Sequence, residues 1–339
     1  MTALLLALAP LQEPEYPARF AATGPLSGTQ YRYRLDLPRG SACFPLRPYS
    51  RRLQYEKEVT SALRWLARTQ KTDGSWDPGG EPFRAGVTGL ALLAFLQAGH
   101  IHTCIHWYDG ISFGHGVRNA LQWILSRQGL DGSFVSGRSS TSLAFHSICT
   151  LAISEAYGLS GSVLLREPAE RALQYLLATW TGEEDPSVTG WAVLALQSAR
   201  MWDFPVKDGV PAAARVSDAS PGIAIVARLF VDQKKSDPRL LDSCDLLLTH
   251  PPRWKPDVMD FHSWHWNTMA LFEFDGPSGP RWKAWANPVF QAILSHQRPD
   301  GSWDPLDRWC VDGGRTYATA VNALTLQTSR RFIFIFGGR

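Results

Sequence analysis

One phrase occurs three times in this chain, at residues 70–76, 128–134 and 297–303. Each copy reads Gln-x-x-Asp-Gly-Ser followed by Trp or Phe, and each closes a stretch whose apolar residues recur at helical spacing. The Asp-Gly pair supplies a turn, because glycine adopts a positive φ at little cost, and the aromatic residue can then fold back onto the helix it has left. Three copies in register therefore predict an array of helical repeats.

A second kind of helix follows each phrase. Residues 87–94 and 188–195 are near copies of each other, and residues 315–320 open a third segment of the same character. These segments carry few charges on any face, whereas the helices that end in glutamine have a charged side. We therefore expect an inner set of helices buried all round and an outer set with one face in solvent.

Counting these helices in pairs predicts the architecture. The sequence contains about six pairs, at residues 57–98, 116–158, 168–201, a reduced pair at 210–234, 239–273 and 287–330. Neither end carries a polar capping repeat, which favours closure over an open solenoid. We therefore predict an all-α fold, an (α/α)6 toroid of two concentric helix rings around a central lumen.

The predicted domain covers residues 55–332 and has an extension at each end. Residues 1–54 are rich in proline, tyrosine and arginine and are interpreted as an extended arm or a disordered leader. Residues 3–9 resemble the apolar part of a signal peptide but lack a basic segment before it, so envelope and cytoplasm both stay open as locations. Residues 333–339 form an apolar tail, interpreted as docking on the fold, on a partner or on a membrane surface.

The pattern Ala-x-x-Trp-Leu-x-x-x-Gln-x-x-Asp-Gly-Ser-Trp over residues 62–76 resembles the glutamine-tryptophan (QW) motif of a known superfamily. That superfamily comprises the prenyltransferase and squalene cyclase (squalene oxidase) repeat proteins, among them terpenoid cyclases and protein prenyltransferase β-subunits. The resemblance implies the α/α toroid of that superfamily. It also implies that each glutamine ties the end of one outer helix to the start of its neighbour.

Composition excludes some partners. Thirty-four basic and 31 acidic side chains leave a net charge of +3, and no basic stripe interleaves with aromatic residues, so nucleic acid is not expected as a partner. No apolar run is long enough to span a bilayer, which leaves only peripheral membrane contact open. Five scattered cysteines predict no disulfide framework.

Candidate acids are few. Cyclases that begin by protonating an alkene use an Asp-x-Asp-Asp motif in which one carboxyl stays protonated, and this chain lacks that motif. The nearest candidates are Asp257 and Asp260, with Asp312 further on. Asp260 precedes an inner helix, so it is interpreted either as a cap for that helix or as a catalytic acid. If the chain is an enzyme, it is expected to be an isomerase of the terpenoid cyclase or mutase type.

Candidate ligand-binding residues lie on two of the inner helices. The first group is His262, Trp264, His265 and Trp266, on a helix whose equivalents carry alanine and leucine. Indole faces stabilise cations, so these side chains could line a ligand site, or they could fill the gap between the two rings. Arg315 and Tyr317, after a Gly-Gly pair, could bind an anionic or carbonyl group or could form a plain helix start.

Metal binding is not expected. The weak candidates His100, His102, Cys104 and His106 have ligand types that zinc accepts, but their spacing matches no established zinc site. Protein prenyltransferases hold zinc with an Asp, a Cys and a His. Asp307, Cys310 and Asp312 lie in the corresponding part of this chain but do not form the Asp-x-Cys pair. No metal and no other cofactor are therefore predicted.

Several functions stay open at this point. The resemblance favours a cyclase-like protein that binds an isoprenoid or another apolar molecule in the lumen, with or without catalysis. The alternative is a non-catalytic toroid that binds a protein in the cell envelope. A protein prenyltransferase β-like subunit and a carbohydrate-active α/α barrel are further alternatives, and fold analogy does not decide among them.

Overall fold

The computed structural model describes residues 55–77, 81–105, 107–137, 139–182, 185–206, 220–230, 235–256 and 258–328. Within these ranges the protein is all-α apart from one short hairpin, as predicted. The helices are α1 (Glu56–Thr69), α2 (Glu81–Gln97), α3 (Phe113–Ser126), α4 (Ser140–Ser160), α5 (Arg166–Thr179), α6 (Pro186–Met201), α7 (Pro221–Phe230), α8 (Pro238–Leu248), α9 (Phe261–Asp275), α10 (Pro280–Leu294) and α11 (Cys310–Leu326). The hairpin pairs β1 (Trp107–Tyr108) with β2 (Ile111–Ser112), and a 3-10 turn spans Val163–Leu165.

Most helix boundaries agree with the predicted pairs to within a few residues, and two regions differ. Helix α10 begins at Pro280 instead of residue 287, because Gly279 and Pro280 provide a helix start that the apolar pattern does not show. The long loop before α3 contains the β1–β2 hairpin, which was not predicted. The sequence predicts the outer helix of the reduced fourth pair near residue 210, and residues 207–219 lie outside the described residues.

Two kinds of helix are distinguished by burial. Helices α2, α4, α6, α7, α9 and α11, here called the buried helices, have little exposed surface on any side. In contrast, α1 buries a single face, made by Val59, Ala62, Leu63 and Leu66. Glu56 and Glu58 lie in the first turn of α1, where negative charge favours the helix dipole. The charge patterns of the sequence thus predict correctly which helices are buried.

The buried helices pack on one another in a closed series. Along the chain, α2 contacts α4, α4 contacts α6, α6 contacts α7, α7 contacts α9 and α9 contacts α11. Helix α11 then packs against α2, and it also contacts α1. The first and last described helices are therefore neighbours in space.

The repeated phrase makes the same hydrogen bonds in all three copies. Each glutamine Nε2 donates one hydrogen bond to a glycine carbonyl within its own turn. It donates a second hydrogen bond to a backbone carbonyl near the start of another helix. The second acceptors are Gly116 O at 2.9 Å for Gln70, Pro168 O at 2.9 Å for Gln128 and Glu58 O at 2.8 Å for Gln297. The bond of Gln297 joins the last turn phrase to α1, so it links the two ends of the described chain.

The aromatic residue of the phrase folds back as predicted. Trp76 Nε1 donates to Leu66 O at 2.8 Å, and Trp303 Nε1 donates to Ile293 O at 2.7 Å. Both indoles are completely buried. The turn glycine has φ near +90° in every copy, which a residue with a side chain rarely adopts. Each turn is therefore fixed by its backbone, by its glutamine and by its aromatic anchor.

Candidate functional site

The sequence candidates converge where α9 and α11 begin. Helix α11 is interrupted at Gly314, whose φ of 61° and ψ of −162° separate a first turn from the main helix. This interruption brings the loop before α11 against the start of α9, where Phe261 N donates to Asp307 Oδ2 at 2.7 Å. Half-buried Trp309 and exposed Arg308 lie on the same loop. The candidate site is therefore assembled from two segments that are distant in the sequence.

Asp307 is the buried carboxyl that joins these segments. Besides the bond from Phe261, its Oδ1 accepts from Trp309 N at 3.1 Å and from Cys310 N at 3.0 Å. Burial raises the pKa of Asp307, and the nearby Asp260 adds to this, whereas the bonds from Cys310 and Phe261 oppose it. Asp307 thus satisfies free backbone N–H groups at the starts of two helices.

Asp260 is the N-cap of α9. Its Oδ1 accepts from Ser263 N at 2.8 Å and from Trp309 Nε1 at 3.2 Å, and its Oδ2 lies 3.0 Å from Arg308 Nη2. Both oxygens of this carboxyl therefore accept contacts from donor groups of the protein. The sequence left two interpretations open for Asp260, a helix cap and a catalytic acid. The hydrogen bond from Ser263 N shows that Asp260 caps α9.

His262 lies behind Asp260 and is buried between two indoles. Trp266 Nε1 donates to His262 Nε2 at 3.0 Å, and the imidazole lies 4.5 Å from the Trp309 ring. Since Nε2 accepts a hydrogen bond, the neutral tautomer carries its proton on Nδ1. Burial lowers the pKa of His262 to about 4, although Asp260 opposes the shift. His262 is thus neutral at physiological pH.

This buried histidine predicts a pH dependence of stability. The unfolded chain binds the proton at its ordinary pKa of about 6.5, whereas the folded chain resists it down to about 4. We therefore expect the free energy of unfolding to fall as the pH drops from 6.5 to 4, and His262→Gln to reduce that slope. Urea denaturation at several pH values in this range measures the free energy of unfolding and its slope with pH. An unchanged slope in the variant would show that His262 is not responsible.

Tyr317 lies in the first full turn of α11 after the interruption. Its side chain is buried, and its hydroxyl has no hydrogen-bond partner among the described residues. Burial raises the pKa of the Tyr317 phenol well above its ordinary value, and the charges of Asp307, Cys310 and Asp260 add to this. Tyr317 is therefore a buried, neutral phenol whose hydroxyl is unpaired among the described residues.

The aromatic residues of α9 contact neighbouring elements on several sides. Trp264 packs on Trp254 and Phe261, at ring distances of 6.1 and 5.7 Å. Trp266 lies edge-on to Trp191 of α6 at 5.0 Å. His265 Nδ1 lies 3.2 Å from Thr325 Oγ1 of α11. All three side chains are buried, so in this structure they connect α9 to its neighbours on both sides.

Two other candidates, Arg315 and Asp312, lie apart from this cluster. Arg315 binds Ser302 Oγ of the third turn phrase at 3.2 Å and Asp304 Oδ1, directly after the phrase, at 2.8 Å. Arg84 contacts the equivalent serine of the first phrase, Ser75, so this arginine–serine contact is repeated, although Arg84 pairs with Asp73 of the phrase itself. Asp312 is exposed in the first turn of α11. Asp257 lies outside the described residues.

The weak metal candidates belong to a different segment, which follows α2 in the sequence. His100 packs against Tyr108 and Phe113, and His102 is buried, while His106 lies outside the described residues. Cys104 is disulfide-bonded, contrary to the prediction from the cysteine count, because spacing in the sequence does not reveal which sulfur atoms meet in space. A disulfide sulfur is not a thiolate ligand. No group of three or more metal-ligating side chains occurs in the part of the chain described here.

Two residues of the candidate site, Asp307 and Trp309, are not evident as site residues from the sequence. Asp307 was considered only as a zinc ligand, and Trp309 was not assigned a role. Asp307 stands three residues before Cys310, the first residue of α11, which is a capping signal that the sequence does contain. The contact of Trp309 with Asp260 spans 49 residues and carries no local signal.

Comparison of the chain with protein-family models and with curated proteins gives no match. Among the described residues, no helix is both long enough and apolar enough to cross a membrane. The functional argument therefore depends on the geometry given above.

Proposed function

We propose that the chain is an (α/α)6 toroid of the prenyltransferase and squalene cyclase repeat class. Support comes from the closed series of contacts from α2 through α4, α6, α7, α9 and α11 back to α2. Further support comes from the glutamines of the three turn phrases, each of which bonds to the first turns of another half-exposed helix. In this proposal the buried helices form the inner ring, and the lumen lies between them.

We further propose that this toroid binds an isoprenoid or a similar apolar molecule in its lumen without cyclising it. The observation that carries this proposal is the environment of Asp260, whose carboxylate is bound by three donors. A cyclase acid must present a proton to an alkene, whereas both carboxyl oxygens of Asp260 are already occupied by donors of the protein itself. Asp307 is likewise bound by backbone N–H groups. The Tyr317 hydroxyl then offers a polar contact to a bound ligand.

The test combines Asp260→Asn with mass spectrometry of organic extracts from purified protein. A binding protein should carry the same isoprenoid with and without the substitution, and squalene or a prenyl alcohol added to either form should be recovered unchanged. Asparagine caps a helix about as well as aspartate, so the substitution should lower the free energy of unfolding by less than about 1 kcal/mol. A cyclised product that disappears in Asp260→Asn, with stability unaltered, would establish catalysis and overturn the proposal.

A second candidate function has its own observation. Val258, two residues before Asp260, is exposed, and so are Leu306 and Val311, which flank Asp307 and Trp309 in the sequence, so the two segments of the candidate site present apolar side chains to solvent. Such a surface fits a non-catalytic toroid that binds a protein. An extract free of lipid, together with no binding of added isoprenoids by the folded protein, would favour this scaffold over the lumen-binding proposal.

A further inference from the structure

A groove opens on the exposed side of α10, outside the buried helices. One wall is the loop segment 252–255, between α8 and α9, and the other wall is the stretch 287–296 of α10 and its end. The groove has a volume of about 570 Å³, which is within the range of ligand sites in proteins. It is therefore large enough to hold a ligand that approaches from solvent.

The charge of this groove is positive and is not balanced by the described residues. Arg253 and Lys255 both line the groove, both are exposed, and neither forms an ion pair within the described chain. Among the described residues no aspartate or glutamate lines it, and α10 contains none, whereas Asp257 lies outside the described residues. Lys283, one turn before Asn287, adds positive charge on the same face of α10. We call the two walls, 252–255 and 287–296, the basic groove.

Aromatic stacking fixes the loop wall of the basic groove. The Trp254 ring stacks on the His296 imidazole at 4.3 Å with 3° between the planes, and it packs on Phe261 of α9 at 5.3 Å. His296 Nδ1 in turn lies 2.9 Å from Ala292 O, which holds the imidazole against α10. The two walls are thus joined in the free protein, and little conformational freedom is lost there when a ligand binds.

The helix wall of the basic groove presents free polar groups. Asn287 and Gln291 are four residues apart on one exposed face, and their amides make no hydrogen bond within the described chain. Pro288 between them has no N–H, so Ala284 O, which is directed along the helix toward it, does not receive the usual helical hydrogen bond. This wall therefore offers both donors and acceptors to the backbone of a bound chain.

The length of the helix wall suits an extended peptide better than a compact anion. From Asn287 to His296 the wall runs about 13 Å at the rise of an α-helix. An extended chain covers that distance with about four residues. Arg253 and Lys255 stand on the opposite wall, where the side chains of such a peptide would meet them.

We infer that the basic groove binds an acidic, extended segment of a partner protein. Carboxylates of the segment pair with Arg253 and Lys255, and its backbone bonds to the amides of Asn287 and Gln291. Charge complementarity is the reason for this choice of partner, because the groove presents cations and no described carboxyl. The basic groove lies outside the proposed lumen, so this inference goes beyond lumen binding and does not depend on it.

Two fluorescent peptides test the inference on the full-length protein. One alternates glutamate with proline, which keeps the chain extended, and the other has glutamine in place of every glutamate. Fluorescence anisotropy measures the affinity of each. We expect the glutamate peptide to bind about tenfold more tightly than the glutamine peptide, and this preference to shrink as salt is added. Equal affinities, or no binding of the glutamate peptide at low salt, would overturn the inference.

Variants of exposed residues locate the site without disturbing the core. Arg253→Gln and Lys255→Gln should each weaken binding of the glutamate peptide about threefold. Gln291→Glu places a carboxylate on the helix wall at nearly constant volume and should have a similar effect, while binding of the glutamine peptide stays unchanged. Lys71→Gln removes an exposed lysine of the first turn phrase and is the control. Equal losses in Lys71→Gln and in the groove variants would show that only the overall charge matters.

Two further measurements exclude other occupants of the basic groove. We expect the protein to stay in the supernatant when vesicles of phosphatidylserine and phosphatidylcholine are sedimented, and its mass by light scattering to be the same in wild type and Arg253→Gln. Sedimentation with vesicles that Arg253→Gln abolishes, without peptide binding, would assign the groove to a membrane surface. A dimer that the same variant dissociates would assign it to a second copy of the chain. Either result would overturn the inference.

Discussion

Replacement of Trp303 by alanine is expected to lower the free energy of unfolding by about 3 to 5 kcal/mol. The Trp303 indole is completely buried, and its Nε1 donates to Ile293 O at 2.7 Å. The substitution therefore creates a cavity under the third turn phrase and removes the anchor that folds the chain back onto α10. Few other single substitutions remove as much buried apolar surface from the fold.

Urea denaturation followed by circular dichroism measures this effect, and Trp107→Ala is the matched control. Trp107 lies on the β1 strand with 61% of its surface exposed, so its removal should change stability by less than about 0.5 kcal/mol. Similar losses in the two variants would contradict the argument, because they would show that burial does not distinguish the two tryptophans.

Gly301→Ala is expected to lower the free energy of unfolding by about 2 to 5 kcal/mol. Gly301 has a φ of +94°, which strains any residue with a Cβ. A Cβ at this position would also lie 2.3 Å from Ser61 O on α1, and backbone cannot move away cheaply. Relief of the overlap would push the third turn phrase away from α1 and weaken the bond from Gln297 to Glu58.

Gly110→Ala separates these two contributions. Gly110 also has a positive φ, of +77°, but a Cβ there would meet nothing within 4 Å. This control should therefore cost only the backbone strain, about 1 to 2 kcal/mol. If the two alanine variants lose equal stability, the contact between the third phrase and α1 does not contribute, and the closing of the helix series is weaker than the distances indicate.

The sequence predicted the helices, and which of them are buried on all sides, because these properties depend on local sequence patterns. A glutamine, an Asp-Gly turn and an aromatic anchor recur with fixed spacing, so residues 70–76 alone contain most of the information that defines a turn. The start of α10 was missed because its Gly279-Pro280 signal stands outside the apolar pattern. The disulfide of Cys104 was missed for a different reason, since pairing of sulfur atoms depends on the tertiary fold.

The candidate site was predictable only in part. Asp260 could be identified as a helix cap because capping is a local signal. The contacts of Asp260 with Arg308 and Trp309 could not be predicted, because they join segments that are almost fifty residues apart in the sequence.

The contact between Gln297 and Glu58 has a consequence for protein synthesis. The two residues are 239 positions apart, so α1 leaves the ribosome long before the turn that completes its environment. At roughly 5 to 20 residues per second, this delay is on the order of ten to fifty seconds. During that interval the apolar face of α1 has only part of its final covering. We therefore expect nascent chains of this protein to depend on chaperones until the last helix pair has been translated.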